Sequence, residues 1–146
     1  MIITFCGHAD FQKTSEQETQ LLSFFEKTIG DHKAKFYLGG YGLFDEFAYE
    51  CCKKYKKTHL NVDLVLVIPY LHFEKSKVND YFEKYDEIIY PPIEDKPLKF
   101  AIVYRNQYMI DAADLVVAHV TRSWGGAYRT LRYAKRKGKK IVNFIK

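Results

Sequence analysis

Proline and cysteine are scarce in this 146-residue chain, at 4 and 3 residues, and tryptophan occurs once. With so little proline, and no Ser-rich, repeated or low-complexity tract, nothing reads as a linker, and the length suits a single domain spanning residues 1–146. The three cysteines (Cys6, Cys51, Cys52) are an odd number, and two are adjacent, so reduced cytoplasmic thiols are expected in place of a disulfide framework. No apolar run approaches the ~20 residues of a membrane helix. The opening Met1-Ile2-Ile3-Thr4 leads straight into a strand pattern, so neither a signal peptide nor a membrane anchor is expected. Gly7 stands alone after the first apolar run, without the spaced glycines of a dinucleotide fingerprint, and no Gly-Lys-Ser/Thr sequence occurs. That argues against an ordinary NAD dehydrogenase or a P-loop NTPase. His8, Asp10 and His119 have no paired ligand spacing, so neither a metal nor a cofactor is expected.

Acid is missing from one place in particular. Residues 129–146 hold eight Lys/Arg and no Asp or Glu, while residues 1–128 hold 15 basic against 18 acidic residues. The net charge of +5 is therefore a property of the C-terminal eighth. Hydrophobic residues make up 47% and charged residues 28%, the balance of a folded globular chain.

Apolar runs alternate with helical patterns throughout. Strands are expected at 2–6, 36–38, 62–68, 87–90, 115–118 and 141–145, and helices at 15–29, 44–57, 75–84, 99–111 and 125–137. Ser15-Glu16-Gln17-Glu18 supplies a capping-box start, and Gly138 a helix stop. Continuous β-branched strands separated by helices indicate an α/β domain. Its architecture is three-layer and Rossmann-like, a mostly parallel sheet with helices on both faces.

Ligands in such sheets bind at the carboxyl ends of the strands. Gly7-His8-Ala9-Asp10 follows the first strand. Gly39-Gly40-Tyr41-Gly42 follows the second, and His119 to Gly126 the fifth. Two Gly-Gly pairs each open a helix, where unpaired N–H groups and the helix dipole favour an anion. Each pair is equally readable as a tight strand-to-helix turn. Arg105 and Asn106 lie on the helix between, with Arg105 a candidate counter-charge. Ser123 is a candidate phosphate donor, and Trp124 the preferred stacking platform. For chemistry, His8 titrates near neutrality, while Asp45 and Glu50 are the acids nearest the second loop. Asp45 suits a helix cap equally well, Glu50 a solvated helix face, and His8 a structural hydrogen bond.

Several segments together resemble a family. They are Cys6-Gly7-His8, Gly39-Gly40-x-Gly42-x-Phe44-Asp45 and Arg105-Asn106-x-x-Met109, then Ala113-Asp114-Leu115-Val116-Val117-Ala118, Gly125-Gly126 and Tyr133-Ala134-x-x-x-Gly138-Lys139. Their order and spacing resemble the YpsA-like branch of the SLOG superfamily, Rossmann-like domains similar to DprA and to the LOG phosphoribohydrolases. The resemblance implies a glycine-loop site for a nucleotide or nucleotide-derived ligand, formed by Gly7, Gly39, Gly40, Gly42, Arg105, Asn106, Ser123, Trp124, Gly125 and Gly126. Self-association is a further implication of the likeness to LOG proteins. Three positions depart from the pattern. Ala9 stands where Arg is usual, Ala127 where Thr is usual, and Tyr128–Arg132 lacks the acid of the LOG enzymes. Binding or sensing is therefore the leading expectation. Hydrolysis of an N-glycosidic bond by His8, Asp45 or Glu50 is the alternative. Nucleic-acid binding through Arg129, Arg132 and Arg136 is the less favoured third.

Overall fold

The computed structural model describes residues 1–71 and 75–144, with the side chains of all of these except 75–79. Six strands form one sheet: β1 (Ile2–Gly7), β2 (Ala34–Leu38), β3 (Val62–Val67), β4 (Glu87–Ile89), β5 (Leu115–His119) and β6 (Lys140–Asn143). The order is β4-β3-β2-β1-β5-β6, and every pairing is parallel. Five helices make the crossovers: α1 (Ser15–Thr28), α2 (Leu43–Thr58), α3 (Lys75–Lys84), α4 (Ala101–Ala112) and α5 (Gly126–Arg136). A single 3-10 turn, Leu98–Phe100, leads into α4. This is the expected Rossmann-like α/β fold, with the sheet wholly parallel. The end of the expected last strand, Ile145, lies outside the described residues.

Strand alternation sorts the core into two unlike halves. Ile3, Phe5, Phe36, Leu38, Leu64, Leu66, Leu115 and Val117 pack with α1 and α2, which bring Leu21, Phe25, Ile29, Phe44, Phe47 and Tyr55. Ring contacts such as Phe25–Phe36 at 4.8 Å and Phe11–Phe44 at 5.1 Å fill that half with aromatic volume. The opposite face carries Cys6, Val116 and Ala118 against Ile110, Ala113, Leu131 and Ala134 of the α4–α5 layer. These residues are small, and the α4–α5 layer stands over them with room beneath.

The start of α1 differs from expectation by one residue. Thr14 is the cap: its hydroxyl accepts from the Gln17 amide at 3.2 Å, and the Gln17 side chain accepts from the Thr14 amide at 2.9 Å. Gln17 sits at the third helical position, which a capping box requires, and Glu18 does not.

Candidate functional site

In this topology the chain runs outward from β1 through β2, β3 and β4, then returns to the other side of β1 as β5. The switch point lies between β1 and β5, so a crevice is expected at their carboxyl ends. A cavity of about 220 Å³ occupies that place. Its floor is Thr4, Phe5, Cys6 and Gly7 of β1, and His8 and Ala9 lie at its rim. Ile102, Arg105, Asn106, Met109 and Ile110 form the α4 wall, and Gly126, Ala127 and Thr130 the α5 wall. Asp45 and Tyr41 enter from the β2–α2 side, and Arg122 from the β5–α5 turn. Small side chains on this face of the sheet leave the space that phenylalanines fill on the other.

The two glycine turns meet this cavity differently. At β2–α2, a Cβ on Gly39 would stand 3.1 Å from both the Arg105 guanidinium carbon and the Asp45 carboxylate. One on Gly42 would stand 2.9 Å from the Ala9 Cα, where the Leu43 amide donates to the Ala9 carbonyl at 2.9 Å. One on Gly40 would reach Leu66 at 3.0 Å, and one on Gly7 would enter the Phe44 ring at 2.1 Å. These glycines are required by the chain's own packing. At β5–α5, Cβ atoms on Gly125 and Gly126 would meet nothing within 4 Å. Gly125 has φ +92° and ψ 179°, a region essentially confined to glycine, and Gly126 begins the helix beside the cavity.

Arg105 is nearly fully buried, at 3% exposure, and is not a surface arginine. Its Nη1 donates to the carbonyls of Gly39 at 2.8 Å and Val67 at 3.0 Å, tying together the ends of β2 and β3, and its Nε donates to the Asn106 side chain at 2.9 Å. Three of its five N–H groups are thus engaged, leaving Nη2 without a protein partner among the described residues. Asn106 in turn reaches Thr130 at 3.5 Å, whose hydroxyl donates to the Gly126 carbonyl at 3.0 Å. Burial lowers the Arg105 pKa, opposed by the nearby Asp45 carboxylate.

Asp45 does not cap α2 through its first amides. Its carboxylate accepts from the Tyr41 amide at 3.2 Å, upstream of the helix. Desolvation pushes its pKa up to about 6, against the Tyr41 hydrogen bond and the Arg105 charge. An acid poised near neutrality in a cavity is suited to proton transfer.

His8 is 5% exposed, and its Nε2 accepts from the Thr121 amide at 2.9 Å, so the proton resides on Nδ1. Burial, followed by the Arg122 charge, lowers its pKa. The ring therefore stays neutral and holds the β1–α1 loop against the β5–α5 turn. Arg122 makes a second link between them, its Nη1 donating to both Asp10 oxygens at 3.1 and 3.0 Å, with its guanidinium 4.2 Å from the centre of the Trp124 ring. The Arg122 Nε is buried without a hydrogen-bond partner.

Of the residues singled out in the sequence, Gly7, His8, Asp45, Arg105, Asn106 and Gly126 line the cavity. Gly39 touches Arg105 and Asp45 from behind, while Gly40 and Gly42 serve the turn. Glu50 is exposed on α2 and outside the lining, as are exposed Ser123 and Trp124. Trp124 contacts Arg122 instead of the cavity. Arg122 is the residue that sequence reasoning passed over. Its signal was its place four residues before Gly126, in the turn leaving the switch-point strand. Among the described residues, no three His, Cys, Asp or Glu side chains gather as a metal centre. No described helix is long and apolar enough to cross a membrane.

Solved structures share this fold. DNA processing protein A from Helicobacter pylori, described for its single-stranded DNA binding mode, superposes with a TM-score of 0.60 at 16% identity, over 97% of this chain and 63% of its own. The molybdenum cofactor carrier protein from Chlamydomonas reinhardtii gives 0.60 at 15% identity, over 99% and 77%. TM1055 gives 0.58 at 13%, over 96% and 71%. This chain spans less than two thirds of the DNA processing protein, and identities this low establish the common fold alone. No protein-family model matches the sequence, and no curated protein matches it.

Proposed function

We propose that this is a YpsA-like SLOG domain that binds or senses a nucleotide or nucleotide-derived ligand in the cavity between β1 and β5. The observation that carries the reading is the meeting of an open helix N-terminus with two arginines at the switch point. Gly126 and Ala127 begin α5 at the cavity wall, and Arg122 and the unspent Nη2 of Arg105 supply positive charge. A phosphate accepts from the backbone N–H groups there and from Arg122, and the hydroxyls of a sugar pair with Asp45 and Asn106.

Hydrolysis of an N-glycosidic bond is the second reading, favoured by Asp45. It is the only carboxylate lining the cavity, and it has a pKa near 6. A neutral carboxyl there protonates the departing base, and water supplies the hydroxyl to the sugar carbon. His8 is less suited to that proton transfer, because its lone pair is held by the Thr121 amide.

A thermal-shift panel of nucleotides, NAD and ADP-ribose tests both readings, with products read by mass spectrometry. A ligand at 100 times its dissociation constant stabilises by about 2.7 kcal/mol. Gly126→Leu is the decisive variant. Its side chain meets no protein atom near the Cβ, so the unliganded protein keeps its stability while the shift disappears. A shift that survives Gly126→Leu places the ligand elsewhere. Released base in the wild type but not in Asp45→Asn identifies an enzyme.

A further inference from the structure

A second cavity, of about 640 Å³, lies between α4 and α5. It shares Ile102, Asn106, Gly126 and Thr130 with the first, so the two meet at the N-terminus of α5. Arg129, Arg132 and Arg136 line it along one side of α5, at spacings that bring them to one helix face, and no acidic side chain lines it. Arg132 and Arg136 lie 5.8 Å from the ring centres of Tyr128 and Tyr133. The carboxylate on the adjoining face of α4, Asp111, accepts from the Tyr133 hydroxyl at 2.9 and 3.0 Å, so it is already engaged.

We propose that this second cavity is a phosphate subsite, and that the nucleotide bound at the switch point carries at least two phosphates. The first phosphate sits at the shared wall, on Gly126 and Ala127, and the remainder extend between α4 and α5 to Arg129, Arg132 and Arg136. The inference rests on the nucleotide reading above and adds the ligand's length and charge. Two observations support it independently of that reading. The first cavity, at about 220 Å³, is smaller than the roughly 300–1,000 Å³ usual for small-molecule sites, and the open direction leads into the second. The second cavity also has three guanidinium groups and no acid, and guanidinium forks match phosphate oxygens two at a time. A monophosphate would leave that charge unanswered.

The test is calorimetric titration of the mono-, di- and triphosphates of adenosine, guanosine, cytidine and uridine, with wild type and with Arg132→Ala/Arg136→Ala. Both side chains are exposed, and unchanged circular dichroism and melting verify folding. If the double variant does not fold, Arg132→Lys/Arg136→Lys replaces it, keeping the charge while removing the forks. For the preferred base, the di- or triphosphate is expected to bind about tenfold or more tighter than the monophosphate. The double variant brings it down toward the monophosphate's affinity, and added salt shrinks the gap. Equal affinity across phosphate number, or a gain the variant retains, overturns the subsite and leaves the nucleotide reading intact. Failure of all twelve compounds overturns both. Arginine-dependent binding of a single-stranded oligonucleotide, or an arginine-dependent dimer, without nucleotide binding reassigns the groove to that occupant.

Discussion

The β2–α2 turn is packed from within, whereas the β5–α5 turn faces open space, although the residues before their helices share one backbone conformation. Gly42 has φ +90° and ψ 164°, and Gly125 has φ +92° and ψ 179°. Around Gly42 the chain has closed up: Ala9 is in contact, with Arg105 and Asp45 stacked behind neighbouring Gly39. Around Gly125 nothing has. A strand-to-helix turn of this kind demands glycine for its backbone alone, and what surrounds the glycine decides whether the turn is a joint or a receptor. The same division runs through the layers of the fold, with phenylalanines under α1 and α2 and small residues under α4 and α5.

Substitution at Gly42 gives the largest effect. An alanine there must adopt a region that costs about 1–3 kcal/mol for a non-glycine residue. Its Cβ would also press to 2.9 Å from the Ala9 Cα, adding about 1–3 kcal/mol of overpacking. Gly42→Ala is expected to lose about 4 kcal/mol in urea unfolding. A loss under about 1 kcal/mol would mean that the turn is not packed as described.

Sequence patterns placed the elements well, because β-branched runs bounded by Gly and Pro give strands of the right length for a buried sheet. They placed the site less well. Both Gly-Gly pairs read as ligand loops, since a glycine required by a neighbouring side chain and one left open for a ligand are written alike. What separates them is a contact across the chain, Arg105 on Gly39 and Ala9 on Gly42, which local spacing does not encode. Arg105 read as a residue near a helix start, with a surface position its bland alternative, because nothing nearby signals that two carbonyls 66 and 38 residues away receive it. The cavity floor was legible in principle. Bulky Ile3 and Phe5 alternate with small Thr4 and Cys6, and Ala113, Ala118, Ala127 and Ala134 recur in the second half.

The next effect tests the electrostatics where the packed turn meets the cavity. The folded pKa of Asp45, about 6, lies above the ordinary 3.8, so the ionised form is disfavoured by folding. Above pH 6 that penalty is fully present. As pH falls from 6 to 4 the folded protein takes up a proton that the unfolded chain does not, and stability rises by about 2–3 kcal/mol from this group. His8 and His119, both lowered by burial, act with the opposite sign below pH 6.5. The readout is therefore the difference between wild type and Asp45→Asn. Asn keeps an oxygen for the Tyr41 amide, so the variant is expected to be the more stable at pH 7, with the two converging near pH 4. A constant difference across that range would show that Asp45 titrates normally and would remove the acid on which hydrolysis depends.

The smallest of the three effects isolates backbone from packing. Gly125→Ala imposes the same forbidden region as Gly42→Ala, but its Cβ has empty space around it. The expected loss is about 2 kcal/mol, the strain alone. Because the two glycines share φ and ψ within a few tens of degrees, the difference between their losses measures what Ala9 contributes by crowding the first turn. That difference should vanish in an Ala9→Gly background, where the Cβ of Ala9 is gone and the loop has room to yield, while the Gly125→Ala loss is unchanged. If instead Gly125→Ala proves as costly as Gly42→Ala, the second turn is also closed by contact. An open receptor at α5 would then have to give way to a packed joint.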